Sequence, residues 1–474
     1  MRFDRTLRML ALFGLSLLQA CGLGIDPFPN SPLFKNAGPS LSGTVFFSGT
    51  DSQGENHLFQ IRSGRVRKIV VPGIPDKGIR NLTAFRGSLY FTANQGGSGG
   101  PGELDPDYRI LRFDPDGRLV VSPFSVPTDT FLKVLGDRLY YAGIGVGTVD
   151  LTRLFSWDGV GEPFQFPSSD ETASDHPLDP TLFGNRIIYM KTDSPFDPVT
   201  GRVVACDLLT GSVSVVKSDL VLSGGVASPF FLVHGSNLYF RTNGAIEQWD
   251  GSDQSPSQGL YDENPSFWIP APGGTYFGAG SLFAYLAGYS SVSTLGSGPK
   301  RLARAAEIDP DDPSGDGVYA SGKIYYRCGD ANTPMRLCSY DIGDSAFAEL
   351  PGSESNQLDW VGYDPMRLLA HRNSVCFTGE SQNYGRQLYC LQNGVAVPVT
   401  SVDGPGPDDP MGLISTPEGL IYSSLRSVGG TLTQQFHLSR DLSSTELIPY
   451  DEDYYFGVGD AQTPFEIAPP LLFP

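Results

Sequence analysis

The segment Asp309-Pro310-Asp311-Asp312-Pro313-Ser314-Gly315-Asp316-Gly317 gathers four carboxylates around proline and glycine. A hard cation such as Ca2+ takes about six to eight oxygen ligands, and carboxylates alternating along one loop can supply several of them. Calcium binding is therefore the chemistry open to Asp309, Asp311, Asp312 and Asp316. The segment lacks the trailing Glu of an EF-hand loop and holds two prolines, so a solvated acidic turn is the reading that the loose match favours. Asp403–Asp409 echoes it more weakly. Gly96-Gly97-Ser98-Gly99-Gly100 satisfies G-x-S-x-G, but that motif works only where a strand turns sharply into a helix and lifts the serine. Its flanks, ANQGGSGGPGELDPD, hold no helix-forming run, so a flexible loop is expected. Five histidines, His57, His176, His234, His371 and His437, stand singly, without H-E-x-x-H or another local metal spacing. No catalytic residue is assigned. Phe267, Trp268 and Trp360 could stack on a sugar ring or face a partner, with core packing as their default role.

The cysteines divide by position. Cys328 and Cys338 lie on the two arms of one expected hairpin, and Cys376 and Cys390 on the arms of the next. Facing residues of an antiparallel pair lie roughly 4.5–5.5 Å apart at Cα, within disulfide reach. Two hairpin disulfides are expected, each contributing about 2–3 kcal/mol by closing a short loop. A four-cysteine zinc site would call for short C-x2-C knuckles, which these spacings do not provide. Cys206 is left over and expected to be buried.

Arg2, Arg5 and Arg8 precede an apolar run, Met9–Leu18. A membrane-spanning helix needs about 20 apolar residues, so this run reads as the core of a signal peptide. It ends in Leu18-Gln19-Ala20-Cys21, which resembles the lipobox of bacterial lipoproteins. That resemblance implies cleavage before Cys21 and acylation of the new N-terminus, making Cys21 the lipid anchor. Gly22 in the next position resembles lipoproteins released to the outer membrane. Residues 21–42 contain prolines and no hydrophobic period, as expected of an extended tether. The expected organisation is a signal peptide over 1–20, a tether over 21–42 and a folded body over 43–474.

Composition points the body toward strands. Of 474 residues, 57 are Gly and 38 Pro, which demands many turns, and long runs rich in Ala, Leu, Glu and Lys are missing. The formal charge is −19. Residues 1–20 hold three Arg and one Asp, so the remainder sits near −21. So acidic a surface repels nucleic acid and anionic headgroups, and neither is expected as a partner.

The elements that must position any site come from a repeat. VFFSG (Val45), LYFTA (Leu89), LYYAG (Leu139), IIYMK (Ile187), LYFRT (Leu238), LFAYL (Leu282), IYYRC (Ile324), VCFTG (Val375) and LIYSS (Leu420) recur at steps of 42–51 residues. Most follow a short apolar run and a tight turn. A third strand ending in a turn comes next, as in LFSWDG and IEQWDG, and then a fourth short run. Four short strands per unit at this period are the pattern of β-propeller blades, which bury their apolar faces against each other around an axis. The expected fold is all-β, a single propeller of four-stranded antiparallel blades. Eight blades are expected, with seven or nine open, because Ser252–Ala306 is the most degenerate region. A C-terminal run, Tyr454–Val458, is expected to complete the first blade and close the ring. Trp157 and Trp249, each before an Asp-Gly turn, read as repeat residues.

The strand ending in a DG turn resembles the ELWxxDGT-type repeats of bacterial secreted proteins. A lipid anchor with about eight blades also resembles the propeller lipoprotein of the outer-membrane barrel-assembly machinery, although only VVACDLLTGSVSVV approaches that family's repeat. These features imply a lipid-anchored envelope propeller that binds or scaffolds a protein or glycan. A glycan hydrolase or lyase working at the channel mouth and an outer-membrane assembly factor are the alternatives.

Overall fold

The computed structural model describes residues 44–50, 56–69, 79–94, 108–144, 151–192, 200–221, 231–290, 300–304, 317–350, 363–399, 410–449 and 471–473, apart from short gaps inside those ranges. Within them lie nine four-stranded antiparallel sheets. Blade 1 spans 44–69 and takes in Leu471–Phe473; blades 2 to 5 span 80–125, 132–165, 177–221 and 231–261. Blades 6 to 9 span 265–304, 317–349, 363–398 and 411–448. Each of blades 2 to 9 is a simple meander of strands in sequence order. The chain is a β-propeller, and the sheet count is the upper of the expected values.

Successive first strands lie against each other, for example Arg80–Phe85 with Leu132–Leu135 and Tyr363–His371 with Met411–Ser415. The first strand of each meander is thus the innermost, next to the axis. In blade 1 that place belongs to Leu471–Phe473, which pairs with the first strand through Thr44↔Phe473, Val45↔Leu472 and Phe46↔Leu471. Closure by a C-terminal strand is therefore observed at Leu471–Phe473, while Tyr454–Val458 lies outside the described residues.

Among the described side chains, the second strands are buried along almost their whole length, as in Ser88–Asn94 and Arg186–Thr192. Strand side chains alternate between two faces, and here a neighbouring blade covers each face. Ile187 and Tyr189 pack toward Tyr140 and Leu154 of blade 3, whereas Ile188 and Met190 pack toward Phe231 and Phe240 of blade 5. This is why these strands read as continuous apolar runs. The same apolar layers occur between blades 1 and 2, 2 and 3, 7 and 8, and 8 and 9. Val45, Phe47 and Phe59 meet Ile421, Phe436 and Leu438, so the seam between blades 9 and 1 is packed as well. Full burial of one such aromatic or aliphatic side chain stabilises by roughly 1.5–3 kcal/mol.

Blade 6 corrects one assignment. Its second strand is Gly274–Ala279 and its third begins at Tyr285, so LFAYL is not the hairpin strand of that unit. LFAYL is the richest apolar run of the unit, but the observed register pairs Trp268 with Phe277 and Ile269 with Tyr276, which sets Thr275-Tyr276-Phe277 in the repeat position. The degenerate region is a complete blade, not an excursion.

Candidate functional site

The axial wall is built from the innermost strands, and four of them share an irregularity. Register shifts fall at Arg80/Thr83, Leu178/Thr181, Met366/Leu369 and Met411/Ile414. Each encloses a left-handed residue: Asn81 (φ 57°), Asp179 (φ 45°), Arg367 (φ 53°) and Gly412 (φ 56°). A bulge bends its strand and re-aims a side chain. Here the side chains of Asn81, Asp179 and Arg367 cross to the next blade. Asn81 Nδ2 donates to the Thr130 carbonyl at 2.6 Å, and Arg367 Nη1 donates to the Pro410 carbonyl at 2.8 Å. Asp179 Oδ2 accepts from the Phe231 N–H at 3.3 Å, and its other oxygen is ion-paired with Lys133 of blade 3.

Among the described side chains of the innermost strands Asp179 is the one carboxylate. The Lys133 ammonium and a backbone N–H hold it, so the group ties three successive blades together. Sequence reasoning missed these positions. Each lies eight residues before the first residue of its hairpin motif (Leu89, Ile187, Val375, Leu420), and Asn, Asp and Gly are the residues that tolerate a left-handed backbone most readily. That offset was the available signal.

The opposite ends of these strands carry a second belt. The Arg86-Gly87 turn has both φ values positive, the conformation of a tight hairpin turn. Arg86 Nη2 donates to the Asp137 carbonyl at 3.2 Å, in the equivalent turn of the next blade. Ser321 reaches the Asn373 carbonyl at 3.2 Å, and Arg372 reaches the Pro417 carbonyl at 3.0 Å in the same way. The two Trp-Asp-Gly turns behave alike. Trp157 Nε1 donates to the Gly161 carbonyl and Trp249 Nε1 to the Ser252 carbonyl, each at 3.0 Å. The Gly159 and Gly251 carbonyls accept from Arg112 and Arg186 of the preceding blades, each at 2.9 Å. Trp157 and Trp249 are repeat residues locking blades together.

Between blades 3 and 4 lies a buried polar cluster. The Asp175 carboxylate and the Lys191 ammonium are 2.5 Å apart, and Ser168 Oγ donates to Asp175 at 2.7 Å. Thr152 Oγ1 and His176 Nδ1 are 3.2 Å apart beside them. The other histidines have separate environments: His57 is bonded to Lys68, His371 to Ser415 and His437 to Ser424. The side chain of His234 lies outside the described residues.

Cys376 and Cys390 face each other across the middle pair of blade 8, with Cα atoms 4.0 Å apart, and form a disulfide. Cys338 is also disulfide-bonded. The backbone of Cys328 faces Arg336, and its side chain lies outside the described residues. Cys206 is a free, buried thiol, and burial pushes its pKa up to about 11.

The remaining candidates, Cys21, Asp309, Asp311, Asp312 and Asp316, lie outside the described residues, as do Gly96–Gly100, Asp403–Asp409 and Trp360. The backbone of Phe267 and Trp268 forms the innermost strand of blade 6, but their side chains are outside the description. Among the described residues no group of three or more His, Cys, Asp or Glu side chains is gathered for one metal ion.

No protein-family model and no curated protein matches the chain. Solved structures do. A puromycin-hydrolysing peptidase of Mycobacterium tuberculosis is 12% identical with a TM-score of 0.36, over 76% of this chain and 58% of that one. TolB from Acinetobacter baumannii is 12% identical with a TM-score of 0.30, over 81% of this chain and 83% of that one. A eukaryotic initiation factor is 10% identical with a TM-score of 0.48, over 86% and 96%. The chain spans less than two thirds of the peptidase's length. Nine four-stranded sheets among the described residues and closure of the first by Leu471–Phe473 make the fold a propeller.

Proposed function

We propose that the protein is a lipid-anchored propeller of the cell envelope that binds a protein or glycan partner and serves as a scaffold for it. The observation that carries this reading is the difference between the two rims. In an up-and-down meander the first and third turns of every blade fall on one rim, while the middle connection and the crossover to the next blade fall on the other. The first rim is made mainly of tight turns clasped to their neighbours. The second anchors the longer connections, including 95–107, 193–199, 305–316 and 400–409, all of which hold carboxylates and no lysine or arginine.

Recognition residues concentrate on loops positioned by a rigid scaffold. An acidic rim of this kind suits a neutral or cationic partner and repels nucleic acid and anionic lipid. The Cys376–Cys390 disulfide supports an oxidising compartment, in line with the signal-like Met9–Leu18 run and with Cys21 as the acylated residue.

A photocrosslinking amino acid placed at Gly99 or Ser314, and separately at Asn185 or Leu209 on the turn rim, tests the reading in the full chain within its host. Discrete adducts from the first pair alone are expected, and adding calcium to washed envelopes shows whether 305–316 is engaged. Equal adducts from both rims, or none from either, would rule out loop-borne binding. Labelling with a palmitate analogue, lost in Cys21→Ala, tests the anchor separately.

A further inference from the structure

The seam between blades 8 and 9 holds a buried titratable group in an unusual setting. His371 ends the innermost strand of blade 8 and is 0% exposed. Its Nδ1 lies 2.8 Å from Ser415 Oγ, at the end of the innermost strand of blade 9. Its Nε2 has no hydrogen-bond partner among the described residues. Other bonds cross the same seam: Arg367 to the Pro410 carbonyl at 2.8 Å, Gln392 Nε2 to the Leu442 carbonyl at 3.0 Å, and Arg372 to the Arg440 and Pro417 carbonyls. His371 is the member of this set that titrates near neutrality.

Ser415 from blade 9 meets the ring, and Ser374 is the register partner of His371 in the second strand of blade 8, with its hydroxyl on the Leu391 carbonyl; neither serine is ionisable near neutrality. The turn after Met411–Ser415 carries Glu418, with one carboxylate oxygen buried. From blade 7, Ser321 meets the backbone beside it at Asn373. The charge felt at the ring is the adjacent Arg372 guanidinium. A neutral imidazole satisfies the seam through a single bond to a hydroxyl, which donates or accepts as required. An imidazolium has two donors, and only Nδ1 has a partner. Its charge would sit buried beside a second cation, a state stabilised only when water reaches Nε2. Burial and Arg372 together hold the ring's proton affinity below that of free histidine.

We infer that His371 is the trigger of an acid-sensitive latch, and that its protonation loosens the seam between blades 8 and 9 while the other seams stay closed. Blade 8 keeps its own integrity through the Cys376–Cys390 disulfide, so the change is between blades and not within one. The partner of the opened seam is a proton and then water, so the inference does not depend on the identity of any ligand.

Hydrogen exchange of the full chain, corrected for the intrinsic pH dependence of amide exchange, is the test. Between pH 7.5 and 5, opening at Tyr363–His371 and Met411–Ser415 should rise, by at most about tenfold per pH unit below the free-histidine value. Opening at Arg80–Phe85 and Leu132–Leu135 should not. His371→Gln should flatten the response. In case that variant does not fold, an NMR titration of the histidine rings in the unmodified chain gives a second readout, with His371 expected below the ordinary value of 6.5. A ring titrating at or above that value, or a rise shared equally by all seams, overturns the latch.

Discussion

Asn81 Nδ2 lies 2.6 Å from the carbonyl oxygen of Thr130, a bond across 49 residues that joins the innermost strand of blade 2 to the chain entering blade 3. The same amide is 3.2 Å from Thr92 Oγ1 within its own blade. It is held there by a left-handed backbone that only a few residue types accept. Asn81→Ala removes both bonds and leaves a strained Cβ, so a loss of about 1–3 kcal/mol is expected from the denaturant midpoint. Asn81→Gly loses the bonds but relieves the strain and should fall nearer the lower value. Equal losses in the two variants would mean that backbone strain plays no part.

Gly159 and Gly161 lie two residues apart in one turn, both with positive φ, at 81° and 78°. A Cβ at Gly159 would stand 2.5 Å from the Tyr90 hydroxyl oxygen of the preceding blade, whereas one at Gly161 meets nothing within 4 Å. Alanine at either site carries the left-handed strain of about 1–2 kcal/mol. Only Gly159→Ala must also displace the Tyr90 hydroxyl from its place at the seam of blades 2 and 3, which adds about 1–3 kcal/mol. Thermal unfolding of the two variants side by side isolates this difference, and similar midpoints would remove the interblade role assigned to Gly159.

Removing the disulfide by Cys376→Ala with Cys390→Ala should lower stability by about 2–3 kcal/mol in equilibrium unfolding. Reductant, which also reaches the disulfide of Cys338, should lower stability by at least as much. Cys206, buried with its thiol near 11, should react with a thiol reagent only after denaturation. Rapid labelling of Cys206 in the native protein would contradict its position between blades 3 and 4.

The turn ending the third strand of blade 9 is capped by Asp441, which accepts from the Ser443 and Ser444 N–H groups at 3.0 Å each. The Ser443 N–H leads the effects that hold its carboxyl down at about 2, against an ordinary value of 3.8. A carboxyl lowered in the folded state adds stability above its unfolded value, and that contribution disappears as pH falls through the folded one. Acidification from about pH 4 to 2 should therefore destabilise the native chain more than Asp441→Asn, as read by unfolding midpoints across that range. Parallel curves for the two proteins would count against the cap.

Deleting Leu471–Phe473 strips the innermost strand from blade 1 but leaves the Val45, Phe47 and Phe436 packing of the blade 9 seam. Hydrogen exchange at Thr44–Phe46 should accelerate while Ile421 and Leu438 remain protected. Unchanged exchange at Thr44–Phe46 would mean that the closing strand contributes nothing to that edge.

The sequence by itself determined the class of fold. A second strand buried on both faces must be apolar throughout, so LYF, LYY and IIY stand out without any alignment, and Asp-Gly and Arg-Gly pairs mark the turns between strands. It also foretold the facing of Cys376 and Cys390, because antiparallel register is a matter of counting from a turn, whereas Cys328, expected opposite Cys338, faces Arg336 beside a register shift that counting does not reveal. Blade 6 escaped that counting, since its apolar residues spread over two adjacent runs and composition could not show which one forms the second strand. The closing strand escaped for a related reason: three residues, Leu471–Phe473, are too few to show a period. Only the tertiary structure decided what happens at the axis. Asn81, Asp179, Arg367 and His371 act through bonds to carbonyls, N–H groups or hydroxyls about 43–52 residues away, and such pairings depend on ring geometry that no local pattern encodes.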